Sequence, residues 1–267
     1  MRIALAQVVA GSDPVENLAL IARETARAAV DGAELVVFPE AVMCRFAGPD
    51  LSAVAEPADG KWAAEVRRIA REAGVTVVVG MFTPAATPGR VRNTLLVAGD
   101  AETGYDKIHL YDAFGYRESD AVEPGIRPIT FDLNGVRIGL TTCYDVRFPE
   151  LFRALAAEGA DLILVCASWG SGPGKREHWE LLTRARALDT TTVVVAVGQA
   201  DPLTIGREDG IGAPTGIGYS GVIAADGTDL VRLRDAPETL VVDVSDALAA
   251  MPAVRAKLPV LANGDRV

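Results

Sequence analysis

Val136–Leu151 reads VRIGLTTCYDVRFPEL, and it changes character halfway along. Val136 to Thr142 is apolar and β-branched, the composition of a buried strand. Pro149 and Glu150 then open an Ala/Leu-rich run to Glu158, the start signal of a helix. Cys143 stands between them, where the strand must stop and the chain must turn. A thiol there is presented at the carboxyl end of a strand and near a helix N-terminus, whose partial positive charge favours thiolate. A free cysteine titrates near pH ~8.5, so a modest shift would matter at neutral pH. The competing reading is a small buried hydrophobe.

The same alternation of strand and helix extends in both directions. Upstream, Ile3–Val9 is expected as a strand, and Asp13-Pro14 should cap a helix running to about Val30. Glu34–Phe38 (ELVVF) is a buried strand ending in Pro39-Glu40. Asp59 opens an amphipathic helix, Lys61–Ala73, with Trp62, Val66 and Ile69 on one face. Val75–Phe82 and Val91–Ala98 are strands, and Tyr105–His109 looks extended. Asp112–Pro128 lacks a period and reads as a long functional loop. Downstream, Asp161–Val165 (DLILV) is a strand and Lys175–Asp189 a long helix. Thr192–Val197 is a strand, followed by a Gly- and acid-rich loop over Asp201–Gly218. Gly221–Ala225, Asp229–Leu233 and Leu240–Val244 close the pattern, with a tail from about Ser245 expected to serve packing or oligomer contacts. Gly32-Ala33-Glu34-Leu35 is echoed by Gly159-Ala160-Asp161-Leu162, each after an Ala-rich helix. Two similar βα layers follow, and the alternation favours an α/β layered fold with helices outside two sheets. No linker-like composition divides residues 1–267, so one domain is expected.

Composition narrows the function classes. The 267 residues are 49% hydrophobic and 23% charged, ordinary globular values. A net charge of −10, with no basic cluster, argues against a nucleic-acid partner. The three cysteines (Cys44, Cys143 and Cys166) are few and odd in number, which points to a reducing, cytoplasmic setting and not to a disulfide scaffold. MRIALAQVVAGSDP reads as a first strand and not as a signal peptide. No apolar run reaches the ~20 residues of a membrane span. Only two histidines are present, a poor supply for a metal site.

Two further residues can share chemistry with Cys143. Glu40 follows a buried strand, and a carboxylate in apolar surroundings has a raised pKa suited to taking and returning a proton. Lys107, in GYDKIHL, could supply positive charge to the oxyanion of a tetrahedral intermediate. A solvated strand-end carboxylate and a surface lysine are the plain alternatives.

The three blocks Phe38-Pro39-Glu40, Lys107-Ile108-His109-Leu110 and Cys143-Tyr144-Asp145-Val146-Arg147-Phe148-Pro149-Glu150 are specific in this order and spacing. In them the chain resembles the carbon–nitrogen hydrolase (nitrilase) superfamily over nearly its full length. The resemblance implies a Glu40–Lys107–Cys143 triad and a four-layer αββα sandwich, two sheets face to face with helices outside. It also implies assembly into homodimers or larger homo-oligomers. Glu118, in Tyr116-Arg117-Glu118-Ser119-Asp120, matches a second glutamate near the triad, with the implied task of orienting Lys107.

Arg147 is placed to hold a substrate carboxylate through its guanidinium fork, unless it pairs with Glu150. Ala167–Leu182 (ASWGSGPGKREHWELL) lies near the pocket in similar proteins, which makes Trp169 a substrate-binding candidate. His178 in that block is expected to be structural, and His109 to point to the opposite face of an extended segment from Lys107. Cys166 reads as core, and Cys44 has no assigned task.

The expected reaction is acyl transfer through a cysteine thioester. Glu40 is the base, and Lys107 with the backbone N–H of Tyr144 stabilises the oxyanion. Glu118 assists, ammonia departs, and no cofactor is required. Tyr144 stands where nitrile-cleaving relatives typically have tryptophan, which favours a small amide substrate. KIHLYDAF, RESD, CYDVRFPEL and HWELLTRARALDT look most like amidases acting on deaminated glutathione. Omega-amidases acting on α-ketoglutaramate-like monoamides come next, followed by N-carbamoyl and aliphatic amidases. A Cys–His hydrolase using Cys143 with His109 or His178, and a non-catalytic binding member of the fold, are readings from other classes.

Overall fold

The computed structural model describes residues 1–207 and 213–263. Its first half runs β1 (Arg2–Gln7), α1 (Pro14–Val30), β2 (Leu35–Val37), α2 (Leu51–Val54), α3 (Lys61–Ala73), β3 (Thr76–Pro84), β4 (Val91–Ala98) and β5 (Thr103–Asp106). A two-stranded ribbon of β6 (Asp112–Ala113) and β7 (Tyr116–Arg117) follows, then a 3-10 turn at Glu118–Asp120. The second half runs β8 (Thr130–Leu133), β9 (Val136–Thr142), α4 (Pro149–Ala157), β10 (Leu162–Ala167), α5 (Lys175–Thr190), β11 (Val193–Gly198), β12 (Gly221–Ile223) and β13 (Asp229–Arg232). The chain ends with β14 (Glu238–Asp243) and α6 (Ser245–Lys257).

The two large sheets have the orders β14-β1-β2-β3-β4-β5 and β13-β12-β11-β10-β9-β8. Each holds a parallel trio, β1-β2-β3 in one and β9-β10-β11 in the other, flanked by antiparallel strands. Alternation within the strands divides the apolar residues between two faces. Ile3, Leu5 and Val37 meet Leu140, Leu162 and Leu164 between the sheets. The opposite face of the first sheet (Ala4, Val36, Val77) packs under Ile21 of α1 and Trp62, Val66 and Ile69 of α3. That of the second sheet (Ile163, Val165, Val194) packs under Phe152 and Leu155 of α4 and Trp179 of α5. The molecule is thus an α/β sandwich with helices outside two sheets, as the alternation predicts.

Local signals explain many of the boundaries. Asp13 caps α1 by accepting from the Val15 N–H, with Pro14 in the first turn. The cap of α3 is Gly60 rather than Asp59, and the Glu56 carboxylate accepts from the Trp62 N–H at 3.0 Å. Three expectations change. Strand β5 stops at Asp106, so Tyr105–His109 is not continuously extended. Asp112–Pro128 contains the ribbon and the 3-10 turn. The tail from Ser245 is helix α6, whose Met251 is buried at the inter-sheet core. Within the Asp201–Gly218 stretch, Pro202–Ile205 forms a 3-10 turn, while residues 208–212 lie outside the described residues. No described helix is long and apolar enough to cross a membrane.

Candidate active site

The candidate residues converge where the parallel strands of both sheets end. Glu40 follows β2, Cys143 follows β9 and Ser168 follows β10, while Lys107 follows β5. Open α/β sheets present their functional groups at such strand ends. Glu40 is held there by its backbone as well as its side chain. Its carbonyl accepts from Gln199 Nε2 at 2.9 Å. Gly80 in β3 lies directly against the Glu40–Ala41 peptide, where an added Cβ would fall 2.8 Å from the Glu40 carbonyl carbon. Only a residue without a side chain lets that backbone approach.

Lys107, Glu40 and Glu118 form one buried charge cluster. Lys107 Nζ donates to Glu40 Oε1 at 2.9 Å and to Glu118 Oε2 at 2.8 Å. Asn93, in β4, donates to Glu40 Oε1 at 2.7 Å and to Glu118 Oε1 at 2.9 Å. The Ser168 N–H donates to Glu40 Oε2 at 2.7 Å, and the Tyr111 N–H to Glu118 Oε2 at 2.7 Å. All three charged side chains are at most 2% exposed. Burial raises the Glu40 carboxyl above its ordinary 4.5, although Lys107 opposes the shift. Burial by itself would lower Lys107, but the carboxylates of Glu118 and Glu40 outweigh it and hold the ammonium well above 10.5.

Cys143 starts a 3-10 turn, Cys143–Arg147, in a left-handed conformation with φ 49°. Non-glycine residues at positive φ are uncommon, and such backbone strain clusters at functional sites. Asp145 anchors the turn. Its carboxylate accepts from the Thr142 N–H at 2.9 Å, the Tyr105 hydroxyl at 2.7 Å and the His109 N–H at 3.0 Å. The thiol faces the Ser168 carbonyl at 3.6 Å. Burial, and then the Glu40 carboxylate, push it well above 9.0, with Lys107 opposing. The pull of a helix N-terminus toward thiolate is outweighed here. The turn is short, and the negative charge beside it is a full carboxylate. Such a thiol needs a base, and Glu40 is one with a raised pKa.

Tyr144, Arg147 and Trp169 line a narrow cleft leading to Cys143, together with Tyr111, Lys175 and Pro214. The Arg147 guanidinium lies 5.3 Å from the Trp169 ring centroid and 5.9 Å from that of Tyr144. Its Nη2 is 3.3 Å from His178 Nδ1, and among the described residues no ion pair joins it to Glu150, the helix-start alternative. Strand β5 ends before His109, whose ring takes partners other than those of Lys107. The ring stacks on Phe148 at 3.7 Å between centroids and meets Asp145 at 2.8 Å. Cys44 donates to the Ser12 carbonyl at 3.4 Å, and Cys166 is in the inter-sheet core. Among the described residues, no three His, Cys, Asp or Glu side chains group as metal ligands.

Sequence reasoning missed Asn93, Asp145, Ser168 and Lys175. Asn93 carried a usable signal, a lone amide in the apolar strand VRNTLLVA. Ser168 acts through its backbone and carried none.

Comparison with known proteins shows the family. The sequence model of the carbon–nitrogen hydrolase family matches residues 2–253. A protein of Mycobacterium tuberculosis described as a hydrolase is 53% identical, over 98% of this chain and 95% of its own. The deaminated glutathione amidase of Escherichia coli O157:H7 is 36% identical, over 98% of this chain and 97% of its own. A solved mutant of the Nesterenkonia sp. AN1 amidase, with acrylamide added at its active-site cysteine, is 30% identical. It superposes with a TM-score of 0.79 over 97% of this chain and 98% of that one. By sequence, fold and the clustering of its three signature blocks, the chain belongs to the carbon–nitrogen hydrolase family.

Proposed function

We propose that this amidase hydrolyses a small carboxylated amide through a thioester on Cys143, and that deaminated glutathione is its best-fitting substrate. One observation carries the mechanism: the buried Glu40 carboxylate, held by Lys107, Asn93 and the Ser168 N–H, next to a thiol that burial keeps protonated.

Glu40 takes the thiol proton as Sγ attacks the amide carbon, and the carbonyl π pair moves onto oxygen. Lys107 has three N–H donors and gives one each to Glu40 and Glu118, which leaves one for the oxyanion. The Tyr144 N–H belongs to the first turn of the 3-10 segment, where backbone donors have no intrahelical acceptor. It is the second oxyanion donor. Collapse breaks the C–N bond, and Glu40 returns its proton to the departing nitrogen. Glu40 then takes a proton from water as the water attacks the thioester. The C–S bond breaks, the acid leaves and the thiol is reprotonated. Glu118 keeps Lys107 in place throughout.

Arg147 receives a substrate carboxylate, and Trp169 supports the guanidinium from one face. The leaving group follows the substrate. The expected release of ammonia holds only for a primary amide such as α-ketoglutaramate; deaminated glutathione, whose scissile nitrogen is substituted, releases an amine. The likeness to the Escherichia coli enzyme supports the second substrate class. Omega-amidase action on α-ketoglutaramate-like monoamides is the alternative.

The test is a panel of deaminated glutathione, α-ketoglutaramate, an aliphatic amide, an N-carbamoyl amino acid and a nitrile, read by NMR for the acid product. Turnover of deaminated glutathione well above the others, abolished in Cys143→Ala, is expected. Preference for α-ketoglutaramate would move the protein to the omega-amidases. Turnover surviving Cys143→Ala would overturn the mechanism.

A further inference from the structure

Lys175 sits in the cleft with no carboxylate to balance it among the described residues. The residue is 8% exposed. Its ammonium is held by neutral groups: it donates to the Tyr111 hydroxyl at 3.1 Å and lies 3.5 Å above the centre of the Phe114 ring. Its backbone is fixed as well, the Lys175 carbonyl accepting from Trp169 Nε1 at 2.9 Å. Burial, and then repulsion from Arg147, lower its pKa. A largely buried cation held only by a phenol and a π face is costly to maintain. Arg147, on the same cleft, also lacks a carboxylate partner among the described residues. Outside the buried Glu40–Lys107–Glu118 cluster, the cleft therefore presents two cations that no carboxylate touches among the described residues, one for each of two substrate carboxylates.

We infer that Lys175 is a specificity-determining residue which, with Arg147, fits the cleft to an amide bearing two carboxylates. This rests on the amidase reading above and narrows its substrate class. Amides with an acid on both the acyl and the amine side fit it, whereas α-ketoglutaramate-like monoamides, with one carboxylate, fit it less well.

Two amides that differ by one carboxylate test the inference: glutaramate, a monoanion, and N-glutarylglycine, a dianion. Their binding is measured by titration calorimetry on Cys143→Ala protein, with Lys175 intact, as Lys175→Met and as Lys175→Arg. Melting curves check that each variant is folded. Losing a charged hydrogen bond weakens binding by about tenfold or more. Lys175→Met should therefore lose about that factor for N-glutarylglycine and under about threefold for glutaramate, with Lys175→Arg recovering most of it. Equal losses for both amides would mark Lys175 as merely structural, and no loss for either would remove it from recognition. Selective dianion binding by Lys175, with no amide turnover by wild-type protein, would overturn the amidase reading and leave this one standing. Turnover of both amides with unchanged affinities in Lys175→Met would do the reverse.

Discussion

Lys107 is one cation bonded to two buried carboxylates, and that imbalance governs the site's pH behaviour. Glu40 must be ionised to accept the thiol proton, and burial raises its pKa. The acid limb of kcat/KM is therefore expected above the ordinary carboxylate value of 4.5, with activity falling as pH drops through it. On the alkaline side, the thiol lies well above 9.0, so its alkylation should not surge as pH crosses the ordinary thiol range. A pH–rate profile and an iodoacetamide titration check both expectations. Lys107→Met should abolish turnover and destabilise the fold by about 3–5 kcal/mol at neutral pH, because it strands buried charge. In that variant Glu40, already raised by burial, loses the ammonium that opposes the shift, so its folded pKa would lie further above its unfolded one. The variant's stability should be fully present below the unfolded carboxylate range and be lost as pH rises, which urea melts across pH would show. The convergence of Glu40, Lys107 and Cys143 was legible because the three residues stand in recognisable blocks. Asn93 was not, since an amide in a strand acquires a role only when Glu40 and Glu118 arrive from elsewhere in the chain.

The 3-10 turn from Cys143 to Arg147 shows what one carboxylate can do for an element. Asp145 satisfies the donors of Thr142, Tyr105 and His109, and so ties β9, β5 and the segment after Lys107 to the turn that presents the thiol. Asp145→Ala would leave those buried donors unpaired. A loss of at least about 3 kcal/mol in urea unfolding is expected, with Cys143 alkylation slowed. Gly80→Ala, which pushes a Cβ against the Glu40 backbone, should cost about 1–3 kcal/mol and lower kcat, read by melting and steady-state kinetics. Elements with their own local signals were readable: Asp13-Pro14 announced α1, and Pro149 announced α4. The end of β5 was not, because side-chain bonds from Tyr105 and Asp145 take over where the ladder stops. Helix α6 was hidden by Pro252 in its middle, a residue that ordinarily ends a helix.

At the scale of the whole molecule, the echo of Gly32–Leu35 in Gly159–Leu162 marks a repeated layer. Gly32 and Gly159 both end a helix at positive φ, 81° and 91°. The N–H of Ala33 then bonds to the Ala28 carbonyl, and that of Ala160 to the Leu155 carbonyl. Both segments lead into the central strand of a parallel trio, and β14-β1-β2-β3-β4-β5 matches β8-β9-β10-β11-β12-β13 in order and sense. Four residues of sequence carried that symmetry faintly, since burial and not residue identity preserves it. Met251 closes the core from α6, so Met251→Ala should cost about 2 kcal/mol in urea unfolding while kcat holds. The central claim, a thioester on Cys143 made by Glu40, is tested most directly by intact-protein mass spectrometry during turnover of deaminated glutathione. An acyl adduct mapped to Cys143, absent in Cys143→Ala and strongly diminished in Glu40→Gln, is expected. Turnover with no adduct in wild-type protein and undiminished rates in both variants would contradict it.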